Sequence, residues 1–244
     1  MEILYGKNPV LEALRAGRPA RKLVLAAGVR DEPRLREILD DAAERGIPVE
    51  ETSRRRLDDI AHTEHHQGIA GYFHSRPPLS LDALLERMRA PGLLLVLDGI
   101  QDPQNLGALA RSCDAAGADG MVLVRDRATG VTAAAAKASA GAIEHVPIAV
   151  VPNLAAALVR MRAVGLWCVG LDAAAELRYD RFDYTSPVAL VVGAEGEGLR
   201  PLTRRRCDAL VSVPMLGHVA SLNAAAAGAI LLYEAARQRD FGAR

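Results

Sequence analysis

The sequence predicts an α/β protein in two parts, a small amino-terminal α/β unit and a larger unit built on a parallel sheet. Short apolar runs alternate along the chain with longer segments whose apolar residues recur at helical spacing. Most runs of the larger part, such as Leu93–Leu97, are continuously apolar, which is typical of strands buried on both faces of a parallel sheet. The pair Pro77-Pro78 marks the break between the parts, because two prolines cannot continue a strand ladder.

The first part is predicted to hold two helices, a basic turn and three strands. Asn8-Pro9 is interpreted as the cap and first residue of a short helix, and Ser53 is expected to cap the basic turn Arg54–Arg56. A longer helix is predicted over Pro33–Arg45, where Gly46 closes it. The strands are predicted at Lys22–Ala26, Ile47–Glu51 and Ile69–Phe73.

In the second part, strands and helices alternate, which favours a layered α/β domain. Domain limits are predicted at 1–76 and 92–244, with a linker and a first helix over 77–91. The strands are predicted at Leu93–Leu97, Met121–Val124, Val146–Val150, Leu166–Gly170, Ala189–Val192 and Leu210–Val213. The helices are predicted at Asn105–Ala116, Thr132–Ala140, Asn153–Ala163 and Ala220–Arg237.

Composition excludes several classes of protein. Half of the 244 residues are hydrophobic, and the 30 basic side chains balance the 30 acidic ones. No apolar run approaches the ~20 residues of a membrane span, and the polar start argues against a signal peptide. The three cysteines lie far apart, which argues against a disulfide scaffold or a zinc ribbon. We therefore expect a cytoplasmic protein without a membrane partner.

Three polar segments follow predicted strands, where open α/β sheets bind ligands. In the first, Asn105 and Arg111 lie six residues apart, or ~120° around a helix axis. They can share a pocket only if Asn105 stands in or before the first turn. Spacing alone allows equally an asparagine cap and a surface arginine.

The second and third segments are a glycine-rich loop and a polar helix start. Gly193, Gly196 and Gly198 let the backbone approach a ligand closely, whereas Glu195 and Glu197 argue against a phosphate cradle. A tight turn between strand and helix is an equally good interpretation. In the third segment, Ser221 and Asn223 precede an alanine-rich helix, where they could cap it or bind a ligand.

Other candidate groups are weaker. A histidine group, His62, His65, His66 and His74, favours a polar, RNA-contacting loop over a metal site, because no cysteine is near. Cys113 and Ser139 have no adjacent histidine or acid, so a hydrolase is not supported.

Taken together and in order, the three segments resemble the motifs of the SpoU/TrmH-type RNA ribose 2′-O-methyltransferases. The first is Asp102-Pro103-x-Asn105-x-Gly107-x-x-x-Arg111. The second is Val192-Gly193-x-Glu195-Gly196-x-Gly198, and the third is Pro214-Met215-x-Gly217-x-x-x-Ser221-Leu222-Asn223. The amino-terminal segments Tyr5-Gly6-x-Asn8-Pro9-Val10 and His66-Gln67-Gly68-Ile69 are similar to the subgroup that methylates a guanosine of 23S ribosomal RNA.

The resemblance implies a fold, a cofactor and partners. The carboxyl-terminal domain would be an α/β knot, a deep trefoil, that binds S-adenosyl-L-methionine (AdoMet) without a metal, and the first domain would be L30e-like and bind RNA. The enzymes work as homodimers through the methyltransferase domain.

It also implies roles for residues. The catalytic set would be Asn105, Arg111, Glu195, Ser221 and Asn223, and the residues around the cofactor would be Gly193, Val213 and Leu222. One departure is Ala225, where the family usually has a serine.

Three alternatives stay open at this point. The same chemistry could act on transfer RNA, or on a ribosomal adenosine as in resistance enzymes. The chain could also be a non-catalytic RNA-binding protein of ribosome assembly, although the complete catalytic set argues against that. Deleting residues 1–76 is expected to weaken RNA binding and to leave AdoMet binding intact.

Overall fold

The computed structural model describes residues 1–125 and 132–241 and divides the chain into two compact units. The first unit is Met1–Pro77 with the described part of Val131–His145. The second contains the described residues of Pro78–Gly130 and Val146–Arg244. No helix within the described ranges is long and apolar enough to cross a membrane.

Within the described residues, the first unit contains four strands and four α-helices. The strands are β1 Glu2–Tyr5, β2 Ala20–Ala26, β3 Val49–Thr52 and β4 Ile69–Phe73. The sheet order is β1-β4-β2-β3, with β2 and β3 parallel and β4 antiparallel to both of its neighbours. The helices are α1 Lys7–Arg15, α2 Pro33–Glu44, α3 Arg54–Ala61 and, much later in the sequence, α6 Ala133–Ala138.

The second unit contains the predicted parallel sheet. Its strands are β5 Leu93–Asp98, β6 Gly120–Val124, β7 Ile148–Val151, β8 Trp167–Leu171, β9 Val188–Gly193 and β10 Ala209–Val211. Their order is β10-β8-β9-β5-β6-β7, and every pairing is parallel. Both faces are covered, so strands such as β5 and β9 are buried throughout. The helices are α4 Leu81–Leu85, α5 Pro103–Ala115, α7 Leu154–Ala163, α8 Pro201–Arg206 and α9 Ala224–Gln238.

Two predicted helix starts are wrong. The first helix begins at Lys7, and Asn8 lies inside its first turn; Gly6 stands at the cap, and the Lys7 N–H donates to the Gln67 side chain. The last helix begins at Ala224 rather than Ala220. Its cap is Asn223 alone, because Ser221 lies in the irregular segment before it.

The segment 132–145 belongs to the first unit, although the domain predicted over 92–244 contains it in sequence. Glu144 is almost fully buried and accepts a hydrogen bond from Arg18 at 2.8 Å. The Arg76 guanidinium donates to the Glu144 carbonyl, and Lys137 lies over the Tyr5 ring. The chain therefore passes between the two units three times.

Candidate active site

The first polar segment places Asn105 where a shared site requires it. Asp102 caps α5 by accepting a hydrogen bond from the Gln104 N–H at 3.0 Å, and Pro103 occupies the first helical position. Asn105 therefore lies in the first turn of the helix, with only 8% of its surface exposed.

A network of three side chains joins the three polar segments. The Asn223 Oδ1 accepts from the N–H groups of Ala225 and Ala226, which leaves its Nδ2 to donate to Asn105 Oδ1 at 2.8 Å. Asn105 Nδ2 then donates to Glu195 Oε2 at 3.3 Å. The cap of α9 thus orients Asn223, and Asn223 orients the rest of the network.

A cavity of about 520 Å³ lies against the same glycine-rich loop. The loop folds back so closely that a Cβ on Gly193 would stand 2.1 Å from the backbone carbon of Gly198. Only glycine fits at Gly193, so its backbone forms a thin wall of the cavity. The lining is mainly apolar, with a few polar groups, as in most small-molecule sites.

The predicted site residues fall into three groups in the structure. The side chains of Asn105, Glu195 and Asn223 are in hydrogen-bond contact. The cavity is lined by the three residues predicted around the cofactor and by two from the catalytic set, namely Gly193, Val213, Leu222, Glu195 and Ser221.

Arg111 is the member of the set that the structure leaves apart. It is exposed on α5, and within the described residues no hydrogen bond or ion pair engages its side chain. Its guanidinium is therefore available to an anion from outside.

Sequence reasoning missed two charged pairs near the cavity. Asp98, at the end of β5, is buried and paired with Arg200, and Asp172 pairs with Arg204 at 2.5 Å. Asp172 and Arg204 both line the cavity. A signal was available for Asp98, since a carboxylate that ends a fully apolar run needs a buried partner.

A metal centre and a reactive cysteine were the other kinds of site to look for among the described residues. Within residues 1–125 and 132–241, no group of three or more His, Cys, Asp or Glu side chains could hold a metal ion. Burial raises the pKa of the Cys168 and Cys207 thiols to about 12, which leaves them protonated and unreactive near neutral pH.

The histidine group is divided. His66 is fully buried, accepts from the Gly68 N–H at its Nδ1 and contacts Asp58 through its Nε2. It therefore holds the loop in place rather than facing RNA. His62 and His65 are exposed.

Comparison with known proteins matches both parts of the chain. The SpoU rRNA Methylase family matches residues 92–233, and the family described as RNA 2′-O ribose methyltransferase substrate binding matches residues 3–79. A Mycolicibacterium vanbaalenii protein, named an uncharacterized tRNA/rRNA methyltransferase, is 45% identical over 98% of the chain and 77% of its own length. A TrmH-family tRNA/rRNA methyltransferase of Bacillus subtilis is 39% identical over 98% of the chain and 96% of its own length.

A solved structure has the same architecture. The SpoU methyltransferase AviRb from Streptomyces viridochromogenes, in complex with the cofactor AdoMet, superposes with a TM-score of 0.82 at 28% identity. The match covers 98% of this chain and 91% of that one. The three motifs are joined by hydrogen bonds among Asn105, Glu195 and Asn223, and the family match spans most of the second unit, so the chain belongs to the SpoU rRNA methylase family.

Proposed function

We propose that the protein transfers a methyl group from AdoMet to the ribose 2′-hydroxyl of an RNA nucleotide, a guanosine of 23S ribosomal RNA. The observation that carries this proposal is the Asn105–Glu195–Asn223 network beside the glycine-walled cavity. The guanosine is inferred from the two amino-terminal segments that resemble that subgroup.

The cavity fits AdoMet in size and chemistry. Its volume of about 520 Å³ lies in the range of small-molecule sites, roughly 300–1,000 Å³. The close-packed backbone at Gly193, with Val213 and Leu222, would hold the nucleoside. Among the side chains that line the cavity, Glu195 supplies a carboxylate for the positive charge of the cofactor.

The chain must align a ribose hydroxyl and help it lose a proton. When bound, AdoMet would supply the methyl group to the ribose oxygen and leave as the neutral thioether S-adenosylhomocysteine, and the hydroxyl proton would pass to solvent water. Asn105, Glu195, Ser221 and Asn223 would orient the groups around the reacting oxygen. The proposed role of Arg111 is to bind the adjacent phosphate and stabilise alkoxide character, because a guanidinium stays protonated and is a poor base.

The role of Arg111 can be tested by a substitution that keeps its charge. Arg111→Lys loses the planar fork that binds a phosphate through two hydrogen bonds. We expect kcat/KM for RNA to fall while AdoMet affinity is unchanged. Near-normal turnover in the variant would contradict the bidentate role.

Unit 1 is proposed to bind RNA through the arginines at the start of α3. Arg54, Arg55 and Arg56 are exposed, and within the described residues their guanidinium groups have no hydrogen bond or ion pair. Three positive charges in the first turn of a helix oppose its dipole, so they do not serve the stability of α3. Several other cations of this unit are paired, as Lys22 is with Glu50 and Arg36 with Asp31.

Changing all three of these arginines to glutamine tests this surface. We expect weaker RNA binding and a shallower dependence of the RNA affinity on salt, because fewer counterions are released. Arg36→Gln is the control, since that exposed arginine already has an acidic partner. Equal RNA affinity in the triple variant and the control would remove α3 from the interface.

The homodimer is also a proposal, supported by the outer side of α9. This helix packs on α5 and β9, while Tyr233 is nearly half exposed and Ile230 is partly exposed. Equilibrium sedimentation of the wild type and of Tyr233→Glu tests it. We expect a dimer that the variant dissociates, and a monomeric wild type would contradict the proposal.

The substrate class is tested by transfer of labelled methyl from AdoMet to ribosomal RNA that lacks its native ribose methylations. We expect incorporation at a single guanosine of 23S ribosomal RNA. Incorporation into unmodified transfer RNA, or at an adenosine, would keep the chemistry and overturn the subgroup. No incorporation into any RNA would favour a non-catalytic role in ribosome assembly.

A further inference from the structure

The glycine-rich loop is attached to the end of β5 by an ion pair whose carboxylate is buried. Asp98 is the last residue of β5, and its side chain is fully buried. Its two carboxylate oxygens accept from the backbone N–H of Arg200, at 3.0 Å, and from the Arg200 guanidinium. Arg200 is only partly exposed and directly follows the loop.

The pair closes a loop that is already constrained at its other end. Gly193 ends β9 and is paired in register with Asp98 on the neighbouring strand. Inside the loop, the Gly198 N–H donates to the Ala194 carbonyl at 2.9 Å. A Cβ on Gly99, next to Asp98, would stand 3.9 Å from the Ala194 Cβ, so the two segments run close together. Asp98 therefore stands opposite the beginning of the loop and holds its end.

We propose that Asp98 is a positioning residue of the methyltransferase site and that it acts through Arg200. By fixing residues 194–200, it sets the distance from Glu195 to Asn105 and the shape of the cavity wall that faces the cofactor. Asp98 itself does not line the cavity. The inference rests on the proposed cofactor site and is independent of which RNA is methylated.

The main variant is Asp98→Asn in the full-length protein, with Arg200→Gln and the double variant beside it. Asp82→Asn is the control, since Asp82 forms an exposed pair with Arg160 in the same unit. Calorimetry measures the dissociation constants for AdoMet and for the uncharged product S-adenosylhomocysteine. Hydrogen exchange measures the protection of the loop amides in the protein without cofactor.

We expect at least a tenfold rise in both dissociation constants for Asp98→Asn, and faster exchange of the amides of residues 194–200. The dissociation constants of the double variant should be no higher than those of Asp98→Asn alone, because the two residues act as a unit. Arg200→Lys keeps the charge and the backbone N–H, so it should bind AdoMet and S-adenosylhomocysteine more tightly than Arg200→Gln does. It also serves as the folded variant if Asp98→Asn unfolds.

Two results would overturn the proposal. One is a lower melting temperature with cofactor affinity and loop exchange at wild-type values, which would make the pair merely structural. The other is a rise for AdoMet alone, which would show an effect of charge rather than of loop position. If the wild type itself failed to bind AdoMet, the cofactor site would be at fault rather than this inference.

Discussion

At the scale of single residues, Asn223 combines a structural and a functional task. Its Oδ1 caps α9, and its Nδ2 donates to Asn105 within the proposed site. Sequence reasoning identified Asn223 from its motif but could not separate it from Ser221, because both residue types cap helices well. Only the path of the backbone decides which of them precedes the first turn.

Asn223→Asp should separate the two tasks. The carboxylate can still cap α9, so the free energy of unfolding should stay within about 0.5 kcal/mol of the wild type. The donor to Asn105 is lost and a second negative charge faces Glu195, so turnover should fall on the order of a hundredfold. Methyl-transfer kinetics and denaturant unfolding measure the two effects.

The matched control is Asn153→Ala, which removes a comparable cap from α7 in the same unit. We expect it to cost about 1 kcal/mol of stability and to leave turnover unchanged. Equal turnover in the wild type and Asn223→Asp would exclude the network from catalysis.

Among the elements, the buried strands of the second unit were predictable, whereas β1 and the placement of α6 were not. A continuously apolar run has one stable place, between two covered faces of a sheet, so Leu93–Leu97 and Ala189–Val192 lie within β5 and β9. The run Ala133–Ala138 does form a helix. Its alanines, however, carry no information on which unit they pack against, and the contacts of Glu144 decide that.

Glu144 should give the first unit a distinctive pH dependence. Burial raises the pKa of this carboxyl, although Arg18 and Arg76 oppose the rise; the nearby Glu2 adds to it. The folded state then binds a proton more tightly than the unfolded state does. The Glu144 carboxyl therefore stabilises the folded state at acidic pH, where it is protonated. This stabilisation is lost as the pH rises from the ordinary pKa of a glutamate to the raised pKa of Glu144.

Glu144→Gln tests the direction of this pH dependence. Relative to the variant, the wild type should lose stability as the pH rises through that window, as measured by unfolding at a series of pH values. The difference isolates Glu144, because carboxyls with a lowered pKa, such as Asp31, Asp180 and Asp183, are common to both proteins. If the wild type instead gained stability relative to Glu144→Gln as the pH rises, the pairing with Arg18 would outweigh burial.

At the scale of the whole molecule, the two units are not independent modules. The segment 132–145 is inserted in sequence between β6 and β7 but packs in the first unit. Removing residues 1–76 would expose buried Ile143 and leave Glu144 without Arg18. The structure therefore argues against the expectation that this deletion leaves AdoMet binding intact.

Two deletions should differ for this reason. A variant that lacks only residues 1–76 should unfold at a lower temperature and bind AdoMet poorly. A variant that also replaces residues 132–145 by a short linker should recover both properties, because the orphaned segment is gone. Thermal unfolding and AdoMet titration compare them. Equal melting temperatures and equal AdoMet affinities in the two variants would show that the orphaned segment does not matter.

The trefoil knot and the L30e-like fold of the first domain stay predictions of the resemblance.

If the three motifs build a site for methyl transfer to a ribose oxygen, the product must carry its methyl group on that oxygen. Nucleoside mass spectrometry of RNA methylated by the wild type tests this, with Asn105→Ala as the comparison. We expect one 2′-O-methylated nucleoside, strongly reduced in the variant. A methyl group on the base, or undiminished product from Asn105→Ala, would contradict it.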